Sequence, residues 1–292
     1  PVLISFTDDD GQHVRFFRYE SEGGATVELD RQSSAGYPTA VSTHDGRTLF
    51  YTSGNAVHQL DEQGGRRKIA SGFENVDFLR LDEKRAKLYM RVIQPEHRNR
   101  QLVVCDLKTG GLQVLDEREI DRSVRWFDLE PSSGRLLALT YSEAEEMDKI
   151  KAARRDGTPP DPAVHQLVLR DVAAGTSREV TTIAQHAIDV SISPDGKHAL
   201  YTAFDRYEAG ARHTIYHVDL ETGHHHPVFT DQDGHVQLVQ PQYAAQGTGL
   251  YVMGTRADGR TRAVCFYDFK TKKLIELWAR PNGMIHNFVV LK

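Results

Sequence analysis

One motif recurs along the chain at nearly constant spacing. An apolar strand run ends in Asp, an apolar residue and a short turn follow, and a second strand run begins. The copies are CDLKTGGLQVL (105–115), RDVAAGTSREV (170–180), VDLETGHHHPVF (218–229) and YDFKTKKLIEL (267–277), with a degenerate QLDEQGGRRKI (59–69). Asp61, Asp106, Asp171, Asp219 and Asp268 are thereby equivalent, at spacings of 45, 65, 48 and 49 residues. A fixed period of this length means one supersecondary unit per repeat, which constrains a fold more than any single element does. The 65-residue interval implies one insertion of about 20 residues.

Before each copy lies a second pattern: alternating run, turn, alternating run. It reads PTAVSTHDGRTLFYTS (38–53), NVDFLRLDEKRAKLYMR (75–91), VRWFDLEPSSGRLLALTY (124–141), IDVSISPDGKHALYTAF (188–204) and LVQPQYAAQGTGLYVMG (238–254). The turns hold residues that tolerate φ > 0 in tight hairpins. Each unit therefore has four short strands, the content of one propeller blade. Five units are complete. The remainder is MIHNFVVLK (284–292), one strand, and residues 3–30, three strands. Joined, they make a sixth blade and leave no open sheet edge. The predicted fold is all-β: a six-bladed β-propeller of four-stranded antiparallel blades, with the ring closed by one C-terminal strand and three N-terminal strands. The domain expectation is a single propeller over 1–292. Residues 142–163 form an inserted loop and helix on the channel-mouth face, since SEAEEMDKIKAARRDG (142–157) is the one helical pattern.

Composition narrows the function classes. A net charge of −5 supplies no global basic field for nucleic acid or an anionic membrane. No apolar run approaches the roughly 18 residues of a membrane span. The opening PVLISFTDDDG is a strand and turn, with Pro1 as the residue left by Met removal in a cytoplasmic protein or by signal cleavage in a secreted one. We expect the cytoplasm and a monomer. Two cysteines, Cys105 and Cys265, are too few for a disulfide scaffold and read as buried apolar thiols.

The SPDGKHALY run (193–201) with the later DLETG turn (219–223) resembles the repeat of TolB-like β-propellers, a WD-like group. That repeat also resembles those of prolyl-oligopeptidase and oligogalacturonate lyase propellers. The resemblance covers essentially the whole chain. It speaks for fold, because one fold hosts many activities.

Inner strands of a propeller start at the channel mouth, beside the loops joining second to third strands. The six starts are Tyr37-Pro38, Glu74 to Asp77, Ser123 to Arg125, His186 with Asp189, His235 with Gln237, and His286-Asn287. His186, His235 and His286 stand at nearly one height. Converging imidazoles with Gln237 are candidate ligands for one divalent metal, manganese or zinc. Alternatively, His186, His235, His286 and Asp189 are candidate catalytic groups, an imidazole acting as base beside a carboxylate. The third reading is a wet channel lined with polar side chains. Loop arginines suit carboxylates or phosphates. Arg91, Arg125, Arg206, Arg212 and Arg256, with Asn75, Asp77 and Tyr37, are the candidate ligand-binding residues. The alternative is that these arginines pair with neighbouring acids.

Other signals read more plainly. His224, His225 and His226 are a surface run on an outermost strand. DDDG (8–11) and DQDG (231–234) lack the full calcium-loop spacing and read as turns, with Asp231 and Asp233 as possible helpers of a cation near His235. Trp126 and Trp278 read as packing between blades. G-x-S-x-G, G-x-G-x-x-G, P-loop and H-E-x-x-H motifs are missing.

Two function classes follow. One is a propeller that binds an anionic small molecule or oligosaccharide, or a protein partner, at the channel mouth. The other is a carbohydrate-active enzyme. Resemblance to oligogalacturonate lyases implies a histidine-held manganese that binds a uronate carboxylate and acidifies its α-proton for β-elimination.

Overall fold

The computed structural model describes residues 1–115, 119–208, 211–230 and 234–291. The chain opens with β1 (Val2–Asp8), β2 (His13–Tyr19) and β3 (Thr26–Ser33). Four-strand sets follow: β4 (Ala40–Ser42), β5 (Leu49–Ser53), β6 (Ala56–Leu60) and β7 (Arg66–Ala70), then β8 (Asn75–Asp82), β9 (Lys87–Ile93), β10 (Arg100–Asp106) and β11 (Leu112–Val114). The third set is β12 (Arg122–Leu129), β13 (Leu136–Ser142), β14 (His165–Asp171) and β15 (Thr176–Ile183), with α1 (Glu143–Asp156) between β13 and β14. Next come β16 (His186–Ile192), β17 (His198–Phe204), β18 (Thr214–Asp219) and β19 (His225–Thr230). The last set is β20 (His235–Tyr243), β21 (Gly249–Arg256), β22 (Arg262–Asp268) and β23 (Leu274–Ala279), and β24 (Gly283–Val290) ends the series. Among the described residues no helix is long and apolar enough to cross a membrane.

The strands form six four-stranded sheets, and β24 joins the first as β24-β1-β2-β3. We number that closing blade 1 and the others 2 to 6 in chain order. The predicted propeller, with its C-terminal closing strand, is the observed fold.

The repeated aspartates shape the outer hairpins. Asp106, Asp219 and Asp268 each accept backbone N–H groups two and three residues on, at 2.6–3.0 Å. These bonds hold the three carboxylates below their ordinary range. Asp61 caps its turn through Gln63 N and Gly65 N, and Asp171 through Ala174 N. The carboxylate replaces a strand partner where the chain reverses, which is why the motif recurs.

The core is a set of layers between blades. Tyr89, Trp126, Leu139 and Tyr201 belong to one layer across blades 3 to 5. Leu3, Phe16, Leu79 and Met90 fill another across blades 1 to 3. Phe6, Trp278 and Phe288 join blade 6 to blade 1, and Leu200, Ile215 and Leu238 join blade 5 to blade 6. Each fully buried side chain of this size contributes about 1.5–3 kcal/mol. Both tryptophans are packing residues, as read from sequence. Both cysteines are buried free thiols, and burial pushes Cys265 up to about 12.

A polar belt on the inner strands ties each blade to the next. Arg80 Nε of blade 3 donates to Asp128 of blade 4 at 2.8 Å. Asp128 in turn accepts from Ser191 Oγ and Ile192 N of blade 5, both at 3.0 Å. Gln240 N of blade 6 donates to Asp189 of blade 5 at 2.7 Å. Gln242 of blade 6 bonds Phe288 O and Val290 N of blade 1, and Asn287 of blade 1 donates to Thr39 of blade 2. His44 N of blade 2 closes the circuit on Glu83 of blade 3 at 2.8 Å.

Candidate functional site at the channel mouth

The inner strands are bulged near the mouth. The register of β8, β12, β16, β20 and β24 against their partners shifts by one residue there. Bulges re-aim side chains. Phe78 in β8 and Gln240 in β20 have φ of 46° and 57°, and a bulky residue with positive φ is a constrained one. Phe78 is thereby turned into an aromatic arc over the mouth. His286 meets Tyr37 edge-on at 5.7 Å, Tyr37 meets Phe78 at 5.5 Å, and Phe78 meets Trp126 at 3.9 Å between ring centroids. The Arg91 guanidinium lies 4.1 Å from the Phe78 ring centre. The arc fills the side of blades 1 to 4.

Within it several sequence-predicted ligand residues are already committed. Arg91 forks onto Asp77 at 2.6 and 2.8 Å and also donates to the Arg125 carbonyl. It is buried, and desolvation lowers its pKa. Arg91 and Asp77, expected as ligand-binding residues, are thus each other's partners inside the fold. Tyr37 donates its hydroxyl to His286 O at 2.7 Å, and burial pushes that hydroxyl up to about 12. Asn75 is half-buried at the head of β8, opposite Ile93.

The three histidines do not form one centre. His186 Nε2 donates to Pro160 O at 3.1 Å, and its ring packs on Phe204 at 5.1 Å and Tyr207 at 4.3 Å. His286 lies in the arc, and burial with the nearby Arg262 charge pushes it down to about 4. His235 turns outward across its own blade, with Nε2 3.6 Å from Cys265 Sγ and 4.0 Å from Glu276. Gly254 makes that turn possible, because a Cβ there would run into the His235 ring. Among the described residues no three His, Cys, Asp or Glu side chains group as metal ligands. The donor set read as a manganese or zinc centre with Gln237 does not fit one ion, and we derive no step through a metal. Asp231 and Asp233 lie outside the described residues.

Asp189, expected as a catalytic group, is likewise engaged within the fold. Its side chain is buried, its oxygens accept from Thr202 N and Gln240 N, and it fastens blade 5 to blade 6. Burial raises it to about 6. Arg256 pairs with Glu276 on the outer part of blade 6, away from the channel.

What remains open is the side of blades 5 and 6. A cleft of about 520 Å³ lies there, lined by Phe204, Arg206, Tyr207, His213, Val236 and Gln237 among others. Arg206 is exposed and has no ion-pair partner among the described residues. Tyr207 and Val236 keep 51% and 46% of their surfaces in water. Arg212 is exposed on the same loop but does not line the cleft. Beside the cleft, Arg125 sits over Tyr141 at 4.1 Å and pairs with Glu146 of α1. The segment after α1 reaches His186 through Pro160. The insertion thus reaches the start of β16 through Pro160. Of the predicted residues, the structure brings His186, Arg125, Arg206 and Gln237 to this side. Sequence reading missed Tyr207, His213 and Val236. The loop DRYEAGARH held a signal for Tyr207, an aromatic next to the already suspected Arg206.

The outer run His224–His226 extends further than the sequence suggested. His224 and His226 share a face at 6.3 Å, and His226, His217 and His198 continue at 5.1 and 4.7 Å between ring centroids.

Comparison with known proteins supports the architecture. No family model matches the chain. The uncharacterized protein YdjN of Bacillus subtilis (strain 168) is 22% identical over 311 aligned positions, which cover 99% of this chain and 87% of that protein. Among solved structures, a TolB candidate from Agrobacterium tumefaciens superposes with a TM-score of 0.67 at 10% identity, over 97% of this chain and 90% of that one. TolB from Acinetobacter baumannii gives 0.66 at 14% identity, over 98% and 65%. An oligogalacturonate lyase from Vibrio parahaemolyticus gives 0.56 at 13% identity, over 96% and 74%. The chain is a six-bladed β-propeller whose structural neighbours are TolB-like and oligogalacturonate lyase-type propellers.

Proposed function

We propose that this protein is a binding propeller that holds an anionic ligand in the mouth cleft between blades 5 and 6. The observation that carries the reading is Arg206, a guanidinium with no ion-pair partner among the described residues, at a cleft also lined by Glu208 and walled by exposed Tyr207 and Val236. A guanidinium fork suits a carboxylate, and an aromatic face suits the flat apolar side of a sugar ring or side chain. Carboxylated oligosaccharides match both. An acidic stretch of a protein partner offers the same chemistry. The lyase reading gains no support from the histidines, which stand in three separate places.

The test is calorimetric titration with a galacturonate trimer, a neutral galactose trimer and an acidic peptide. Losing a charge-assisted hydrogen bond costs about 1.5–3 kcal/mol, so Arg206→Ala is expected to weaken the anionic ligand roughly tenfold or more. Tyr207→Ala should weaken the sugar more than the peptide. Equal affinity for the neutral trimer, or an unaffected Arg206→Ala variant, would overturn the reading.

A further inference from the structure

The channel has a second opening, among the hairpin turns at the opposite end of the inner strands. A cavity of about 410 Å³ lies there, within the range of small-ligand pockets. Its apolar wall includes Val41, Leu129, Val289 and Leu291, and its polar lining includes Arg80 and Ser42. Arg80 and Ser42 are 5% and 4% exposed, and each is incompletely bonded. Arg80 Nε is held by Asp128 and Nη1 by Leu79 O, yet Nη2 has no partner. Ser42 Oγ has none either.

A buried polar group without a partner is uncommon and asks for an explanation. The two residues that carry these groups, on the inner strands of adjoining blades, both line one cavity, with the two atoms just beneath its wall. Both can donate. The neighbouring polar groups are otherwise engaged: Gln242 is bonded to blade 1, and Asp128 takes Arg80, Ser191 and Ile192. The lining also holds Asp82, which accepts from Arg85, and His44, Glu83 and Lys84.

We propose that this turn-face cavity is a second binding site, for a small ligand with a hydrogen-bond-accepting head on an apolar body. The head, a carboxylate or a neutral carbonyl, accepts from Arg80 Nη2 and Ser42 Oγ. The body lies against Val41, Leu129, Val289 and Leu291. The site is independent of the mouth cleft and of the function proposed for it.

Three probes of one size separate the possibilities: hexanoate, hexanamide and hexylammonium, titrated into the full chain by ligand-observed NMR. Hexanoate and hexanamide offer an acceptor, and hexylammonium offers only donors. Saturable binding of an acceptor probe and none of hexylammonium is the expected result, and the tighter acceptor probe reports whether the head is charged. Ser42→Ala replaces an unbonded hydroxyl with hydrogen, so the melting temperature should hold while the acceptor probe weakens roughly three- to tenfold. Arg80→Lys keeps a cation beside Asp128 but removes Nη2, and should weaken it further. Arg206→Ala, at the other face, should leave it unchanged. The site is refuted if no probe saturates by about 20 mM, if hexylammonium binds equally well, or if Ser42→Ala binds like the wild type.

Discussion

Acid exposes what single residues experience inside the ring. Burial and the Arg125 charge push His165 down to about 4, and burial with Arg262 does the same to His286. Between pH 6.5 and 4 the unfolded chain binds protons at these sites that the folded chain refuses. Stability therefore falls on acidification, by up to about 1.4 kcal/mol per pH unit for the well-buried His165 and by less for the more exposed His286. Asp189 has the opposite sign. Raised to about 6 by burial, it takes a proton in the folded state first and gains stability as pH falls from 6 towards 3.8. Two histidines outweigh one aspartate, so the midpoint of urea unfolding should drop between pH 7 and 4.5. Asp189→Asn should lower stability at pH 7 and steepen the acid loss, because the compensating group is gone. An unchanged slope in that variant would show that Asp189 does not titrate as described. The same residue marks the limit of sequence reading. Asp189 sits at the expected height, but a one-residue bulge and a neighbouring blade decide whether a polar side chain faces the channel or bonds across a junction. Neither is encoded nearby. The partners of Arg91 and His235 were hidden for the same reason.

At the scale of elements, α1 is an outpost held at one end. Ala153 is its only buried residue. Ser142 caps its N-terminus by accepting from Glu145 N, acids fill its first turn, and basic residues and Gly157 at φ 65° close its last. The helix itself was legible in sequence, as the one helical pattern over 142–157, because helix signals are local. Its attachment was not. Asp121 accepts from Ser142 Oγ and Ala144 N, and Arg125 pairs with Glu146 across 21 positions of sequence. We predict that Arg125→Ala loosens the helix without unfolding the ring. Amide exchange over 143–156 should quicken several-fold while protection in β12 and β13 persists. Ser142→Ala should cost about 1 kcal/mol of helix stability, read in the same exchange. Uniform loss of protection across blade 4 would mean that the helix is structural support.

At the scale of the molecule, the ring depends on a pairing between its two ends. β24 and β1 pair from Val2 with Val290 to Asp8 with Gly283, and Leu291 N donates to Pro1 O at 3.0 Å. Closure was legible because the leftover strands summed to one blade. The filled arc on blades 1 to 4 and the open cleft at blades 5 and 6 were not, since they arise from bulges and tertiary packing. Removing residues 283–292 should leave β1 as an open apolar edge. Size-exclusion chromatography should then show association, and the excised peptide added in trans should restore some monomer. A truncated chain that stays monomeric and melts as sharply as the full one would show that closure is dispensable. The pairing also sets a clock. At about 5–20 residues per second of synthesis, β1 waits roughly 15–60 s for its partner to be made. Over that interval Val2, Ile4 and Phe6, buried in the finished ring, belong to an unpaired edge. For a nascent ring the most hazardous strand is β1, and its safety depends on β24, made nearly a whole ring later.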